Sequence, residues 1–216
     1  EKAPLNPKDS QAVKQALIQT IESLNCCSKK GLIEMFDSTI GAGTVLMPLG
    51  GKNQLTPAPG MASKLPITEG DTDTVTLMSY GFDPDLSSIS PYHGALYAVI
   101  DSATKITAMG GSYEKVRLSF QEYFQRLGTN PESWGKPLGA LLGALKAQKE
   151  LGIPSIGGKD SMSGTFMNIH VPPTLISFAV GVTKGSQVIS PEIKKKNSQL
   201  ILVQAERDDS GVIDFE

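Results

Sequence analysis

The sequence predicts a layered α/β domain. Strand-like and helix-like patterns alternate along most of its 216 residues, glycine and proline mark the joints, and 39% apolar residues can supply a buried core. The order reads helix, strand, long loop, strand, helix, strand, helix, strand, strand, and it leaves open whether the sheet is parallel.

Residues 9–24 place Val13, Leu17, Ile18, Ile21 and Leu24 at the three-and-four spacing of one helical face. Between Gly41 and Gly70 the prolines at 48, 57, 59 and 66 exclude a helix, so this stretch reads as a strand at 44–47 followed by a long loop. A loop of that length in a compact domain is usually functional or mobile. Residues 74–80 form a strand by β-branched content, closed by the turn Gly81-Phe82-Asp83-Pro84. A helix over 95–109 carries Leu96, Val99, Ala103 and Ile106 on one side and stops at Gly110-Gly111. After a short strand at 115–119, a helix over 136–151 repeats the pattern through Leu138, Leu141, Leu142 and Leu145, ahead of Gly152 and Pro154. Residues 153–156 are strand-like and run into Gly157-Gly158, and the apolar run 174–182 reads as a buried strand. A further strand pattern opens at Leu200-Ile201-Leu202-Val203. Together with a first residue other than Met, it reads as a domain cut at its edge.

Composition narrows the function classes. A formal net charge of −2 with scattered cations gives no basic footprint for nucleic acid, and Lys194-Lys195-Lys196 reads as a solvated turn. No apolar run approaches the roughly 20 residues that span a bilayer, and no signal-peptide pattern is present. Cys26 and Cys27 are adjacent, which suits neither an ordinary disulfide nor a spaced zinc-ligand pair. Reduced thiols and a cytoplasmic location are the expectation.

The densest chemical signal is Ile156-Gly157-Gly158-Lys159-Asp160-Ser161-Met162-Ser163-Gly164, directly after a strand. The glycines permit close backbone approach to a ligand, Lys159 offers a compact positive charge for phosphate, Asp160 could hold a divalent cation, and Ser161 and Ser163 offer hydroxyl donors. The glycine spacing is not that of a Walker loop. The same string also reads as a polar turn with an incidental lysine. Asp73, at the mouth of the 74–80 strand with Asp71 before it, reads either as a magnesium ligand or as a turn residue. Asp101, one helical turn before Lys105, reads either as a surface ion pair or as a half-buried acid needing a partner. His93 and His170 are isolated, and no triad or paired-histidine logic surrounds them.

Five strings occur in order: Phe36-Asp37-Ser38-Thr39-Ile40-Gly41, Met47-Pro48-Leu49-Gly50-Gly51, Ser90-Pro91-Tyr92-His93-Gly94-Ala95, Gly157 through Ser163, and Val171-Pro172-Pro173-Thr174-Leu175. Together they resemble the formylglycinamide ribonucleotide amidotransferase (phosphoribosylformylglycinamidine synthase) family. The likeness is to the second synthetase half of its large single-chain form, within the aminoimidazole ribonucleotide synthetase-like superfamily, and covers roughly residues 28–205. It implies an α/β (α+β) domain of the aminoimidazole ribonucleotide synthetase N-terminal type, with a mixed sheet of about four strands packed by helices. The implied organisation is the tail of a preceding domain at 1–27, a nucleotide-binding synthetase-like domain at 28–190, and the start of a following domain at 191–216.

The resemblance further implies an ATP-dependent C–N ligase of purine biosynthesis, which uses glutamine to convert formylglycinamide ribonucleotide to its amidine with ADP and phosphate as products. ATP/ADP and Mg2+ are the implied cofactors. The first synthetase half and the glutaminase of the same large chain are the implied partners, along with self-association of the piece alone. Gly158, Lys159 and Ser161 align with a glycine, asparagine, x, serine stretch that contacts nucleotide, metal and substrate in the small form of the family, with Lys159 in place of the asparagine, and Asp160 between them joins the expected nucleotide- or substrate-binding residues. Asp73 matches a magnesium-binding aspartate, and Asp101 stands where the family places a glutamate ligand. Lys105 occupies an asparagine-ligand position, and a protonated lysine cannot ligate magnesium. The family's catalytic histidine and glutaminase cysteine match nothing here, so no catalytic residue is assigned and Cys26 and Cys27 are not that nucleophile. Two other readings stay open: a structural nucleotide-binding module of the same enzyme, and another ATP-dependent enzyme of the superfamily.

Overall fold

The computed structural model describes residues 8–36, 39 and 41–213. Asp37, Ser38 and Ile40 of the first resemblance string therefore lie outside the described residues. The chain divides into two compact units, residues 1–38 and 39–216.

In the first unit, helix α1 (Ser10–Glu22) opens at Asp9, whose carboxylate accepts the backbone N–H groups of Gln11 and Ala12. The predicted apolar face forms, but none of the helix is buried. A short helix α2 (Lys30–Glu34) follows, and Cys26 and Cys27 are free thiols.

The second unit runs β1 (Thr44–Leu46), β2 (Leu49–Gly50), β3 (Thr56–Pro57), β4 (Gly60–Lys64), β5 (Thr74–Gly81), α3 (Pro84–Ile89), α4 (Pro91–Ala108), β6 (Arg117–Tyr123), α5 (Pro131–Leu151), β7 (Ser155–Lys159), β8 (Thr165–Phe166), β9 (Ile169–His170) and β10 (Thr174–Lys184). Its sheet has the order β1-β4-β5-β10-β6-β7. The four central strands β4, β5, β10 and β6 each pair antiparallel with their neighbours, and short β1 extends one edge. On the other edge α5 carries the chain over to β7, which lies parallel to β6 and makes the sheet mixed. The mixed sheet packed by helices is the architecture expected from the sequence, with six strands where about four were expected because short β1 and β7 add an edge on either side.

One face of the sheet is the core. Val75 and Leu77 of β5, Leu118 and Phe120 of β6, and Leu175 and Ala179 of β10 alternate inward against Leu96, Val99 and Ile106 of α4. Ser102 of α4 meets Ser177 of β10 at 2.9 Å within this layer, and the Ser79 hydroxyl donates to the Ser102 carbonyl, so the buried hydroxyls are satisfied. The opposite face is open: Met78, Tyr80, Tyr123, Phe178 and Val182 are exposed, and the Tyr80 and Phe178 rings lie 6.5 Å apart across β5 and β10.

Several expectations are corrected. The long loop after residue 47 contains the β2–β3 hairpin and the sheet strand β4. Asp83-Pro84 is a helix start as well as a turn: the Asp83 side chain accepts from Asp85 N and Leu86 N, with Pro84 in the first turn. Leu200, Ile201, Leu202 and Val203 form no strand and are 86, 81, 82 and 87% exposed. Leu138, Leu141, Leu142 and Leu145 mark the outer face of α5, because Ala140, Gly143, Ala144 and Ala147 pack inward. The close approach is set at Gly143, where a Cβ would stand 1.9 Å from the Tyr92 carbonyl oxygen of α4.

Candidate functional site at the sheet edge

The glycine-lysine string is the edge strand itself. Leu118 N donates to Pro154 O at 3.0 Å and Gln148 Oε1 accepts Ser155 N at 2.7 Å, which fixes where the chain leaves α5 and joins β6. In parallel register Phe120 faces Gly158 and Gln121 faces Lys159. A Cβ on Gly158 would lie 2.4 Å from the Phe120 carbonyl oxygen, so this contact requires glycine. The pairing continues past the strand, with Ser161 N donating to Glu122 O at 3.1 Å and Phe124 N to Ser161 O at 2.9 Å. The Ser161 and Ser163 hydroxyls are 2.8 Å apart.

In the pairing Lys159 stands opposite Gln121, and Asp160 follows it opposite Glu122. A cavity of about 280 Å3 opens beside this edge, with Phe120, Glu122, Pro137, Gly158, Lys159 and Asp160 in its lining. Glu122 was not singled out from the sequence, although its even spacing from Leu118 and Phe120 is a legible sign of the inward face. Burial pushes its carboxyl pKa above the usual carboxylate value, and the negative charge of Asp160 adds to the rise.

The two acidic residues predicted as metal ligands are not brought together. Asp73 immediately precedes β5, and its carboxylate accepts Ser186 N at 3.2 Å and the Ser186 hydroxyl at 3.1 Å, tying the strand to the turn after β10. Asp101 belongs to the far end of β5: its carboxylate holds the Lys105 ammonium at 2.7 Å, and Lys105 also donates to Tyr80 O at 2.8 Å. The length of β5, roughly 20 Å at the usual strand rise, separates them. Among the described residues no group of three or more His, Cys, Asp or Glu side chains is arranged as a metal site.

A larger cavity of about 780 Å3 lies along α4, with His93, Tyr97, Asp101 and Arg207 in its lining, away from the Gly158–Ser161 string. His93 is committed locally, its Nδ1 lying 2.9 Å from the hydroxyl of Ser90, the residue that caps α4. His170 meets the Thr165 hydroxyl at 3.1 Å in the exposed β8–β9 hairpin. No helix among the described residues is long and apolar enough to cross a membrane.

Comparison with known proteins places this architecture. The phosphoribosylformylglycinamidine synthase subunit PurL of Methanosarcina barkeri is 26% identical over 215 residues, covering 97% of this chain and 27% of its own length. That of Haloarcula marismortui is 26% identical over 174 residues, covering 79% of this chain and 22% of its own length. The chain is a relative of phosphoribosylformylglycinamidine synthase. It spans about a quarter of the length of the curated synthases that it matches. The fold agrees: the PurL of Thermotoga maritima, solved in complex with ADP, superposes with a TM-score of 0.62 at 18% identity, over 80% of this chain and 27% of that one. The same synthase subunit has also been solved complexed with ATP and with FGAR. No family model matches the sequence.

Proposed function

We propose that the chain is part of a phosphoribosylformylglycinamidine synthase and supplies half of a composite nucleotide and substrate site in its synthetase region. The whole enzyme would convert formylglycinamide ribonucleotide, glutamine and ATP to the amidine, glutamate, ADP and phosphate. Its first synthetase half and glutaminase would be this chain's partners, and its location the cytoplasm. The observation that carries this reading is the PurL likeness across nearly the whole chain, coinciding with an edge strand built around Gly158.

The residues at that edge fit a phosphate-bearing ligand. The glycines leave the strand without side-chain bulk, Lys159 is an exposed cation in the lining of the edge cavity, and the Ser161 hydroxyl is half-buried beside it in the chain. These groups would bind and orient the nucleotide or substrate, and Asp160 would stand near any accompanying Mg2+. When bound, ATP supplies the phosphoryl group that activates the substrate amide oxygen. Asp73 and Asp101 remain proposed Mg2+ ligands for the assembled enzyme, where each would first have to exchange Ser186 or Lys105 for the cation.

A second reading, that this half holds a nucleotide without turning it over, is favoured by Lys105, whose ammonium occupies the Asp101 carboxylate. The two readings separate in the full-length enzyme. If the site takes part in turnover, Lys159→Ala lowers the rate of amidine formation with ATP and glutamine. If it is structural, the same variant loses retained nucleotide and melts earlier, with the chemical step unchanged. A variant normal in rate, nucleotide content and melting would remove Lys159 from the site.

A further inference from the structure

The seam between β6 and β7 holds a pair of acids whose environment calls for a cation. Glu122 is only 9% exposed, lines the 280 Å3 cavity, and receives no hydrogen bond on its carboxylate from any described residue. Its register neighbour across the parallel seam is Asp160, one residue beyond the Gln121–Lys159 pair, and alternation turns both carboxylates to the same side. Neighbouring strands lie about 4.8 Å apart, so two such carboxylates can reach one ion from either side of the seam. Lys159 also lines this cavity, but no ammonium among the described residues forms an ion pair with either acid.

We infer that Glu122 and Asp160 form a binding site for a divalent cation of the magnesium class, distinct from Asp73 and Asp101. The donors are oxygens only, and neither His nor Cys lines the cavity, which fits a hard ion and not zinc. Phe120, Pro137, Leu141 and Met162 supply apolar walls on which an unbalanced pair of negative charges is costly, and a divalent ion cancels that charge. Magnesium is commonly held by one or two carboxylates, with water and ligand phosphate filling its remaining positions, and the open cavity leaves room for those. The inference rests on the geometry of the seam and stands apart from the nucleotide reading.

The test is a titration of Mn2+ into the nucleotide-free chain, followed by the electron paramagnetic resonance of free Mn2+, with Mg2+ as competitor. One equivalent should bind and be displaced by Mg2+. Glu122→Gln and Asp160→Asn should each weaken binding by about tenfold or more, while Asp73→Asn and Asp101→Asn leave it unchanged. Asp160 is exposed, so Asp160→Asn spares the core and carries the test should Glu122→Gln misfold. Circular dichroism monitors folding throughout. Absence of Mn2+ binding to the folded chain, or binding that survives both seam substitutions, overturns the inference. Binding lost with Asp73→Asn or Asp101→Asn but kept without Glu122 also overturns it, and leaves the proposed synthase function standing.

Discussion

Gly158 shows how one residue ties the candidate site to the fold. The Phe120 carbonyl oxygen fills the space a methyl group would need, so Gly158→Ala should push β7 off β6 and destabilise the chain by about 1–3 kcal/mol, read as a lower urea midpoint. An unchanged midpoint would mean that the edge strand is not seated as described. Lys159 is the opposite case: it is exposed, so Lys159→Ala should leave stability within about 0.5 kcal/mol while impairing phosphate-ligand binding in the full-length enzyme. His93→Ala should be milder on ligand binding, because His93 serves the Ser90 cap. Calorimetric ADP titrations of the two variants compare them, and a larger affinity loss for His93→Ala would move the site to the α4 cavity. At this scale the sequence was legible where a residue type is demanding, as at Gly158, where the Phe120 carbonyl leaves no room for a Cβ. For Glu122 the inward face was legible in its spacing from Leu118 and Phe120, but its nearness to Asp160 depends on a strand pairing that no local pattern announces.

At the scale of elements, period and punctuation located α1, α4, α5, β5 and β10 to within a few residues at most ends. The failures have physical causes. Strand β4 is only five residues, Gly60–Lys64, set among prolines, and its strand state comes from pairing with β5. The leucines of α5 carry the stronger apolar signal, yet small residues face α4 because Gly143 lets the two helices touch at the Tyr92 backbone. The open sheet face yields the element-scale prediction. Tyr80 and Phe178 sit directly opposite each other on β5 and β10, with Met78 and Val182 also exposed, so the chain alone should self-associate through this face as its concentration rises. Light scattering should show the mean mass growing with concentration, and Phe178→Lys should suppress that growth. A strict monomer at high concentration would count against the face as an interface.

For the whole molecule, the alternation of elements and the ordered strings were enough to anticipate a mixed α/β sheet and the synthase relationship. What they could not anticipate is how far apart the acidic residues fall, since Asp73 and Asp101 are close in sequence and lie toward opposite ends of β5. That separation bears on catalysis. The described residues bring together a cation, a carboxylate pair and hydroxyl groups along one sheet edge, with no arrangement of three metal-binding side chains. Orienting several reactants within bonding distance supplies a large part of an enzyme's rate enhancement, and about a quarter of the synthase length holds only part of that constellation. The 216-residue chain should therefore form no detectable amidine from formylglycinamide ribonucleotide, ATP and ammonia, whereas the full-length enzyme should do so under the same conditions. Ammonia in place of glutamine removes the glutaminase from the comparison, so the assay reports on the synthetase region alone. Amidine formation above background by the purified chain, lost in a Lys159→Ala chain prepared the same way and so not due to a contaminating enzyme, would mean that the site is complete within this piece and that the composite-site proposal is wrong.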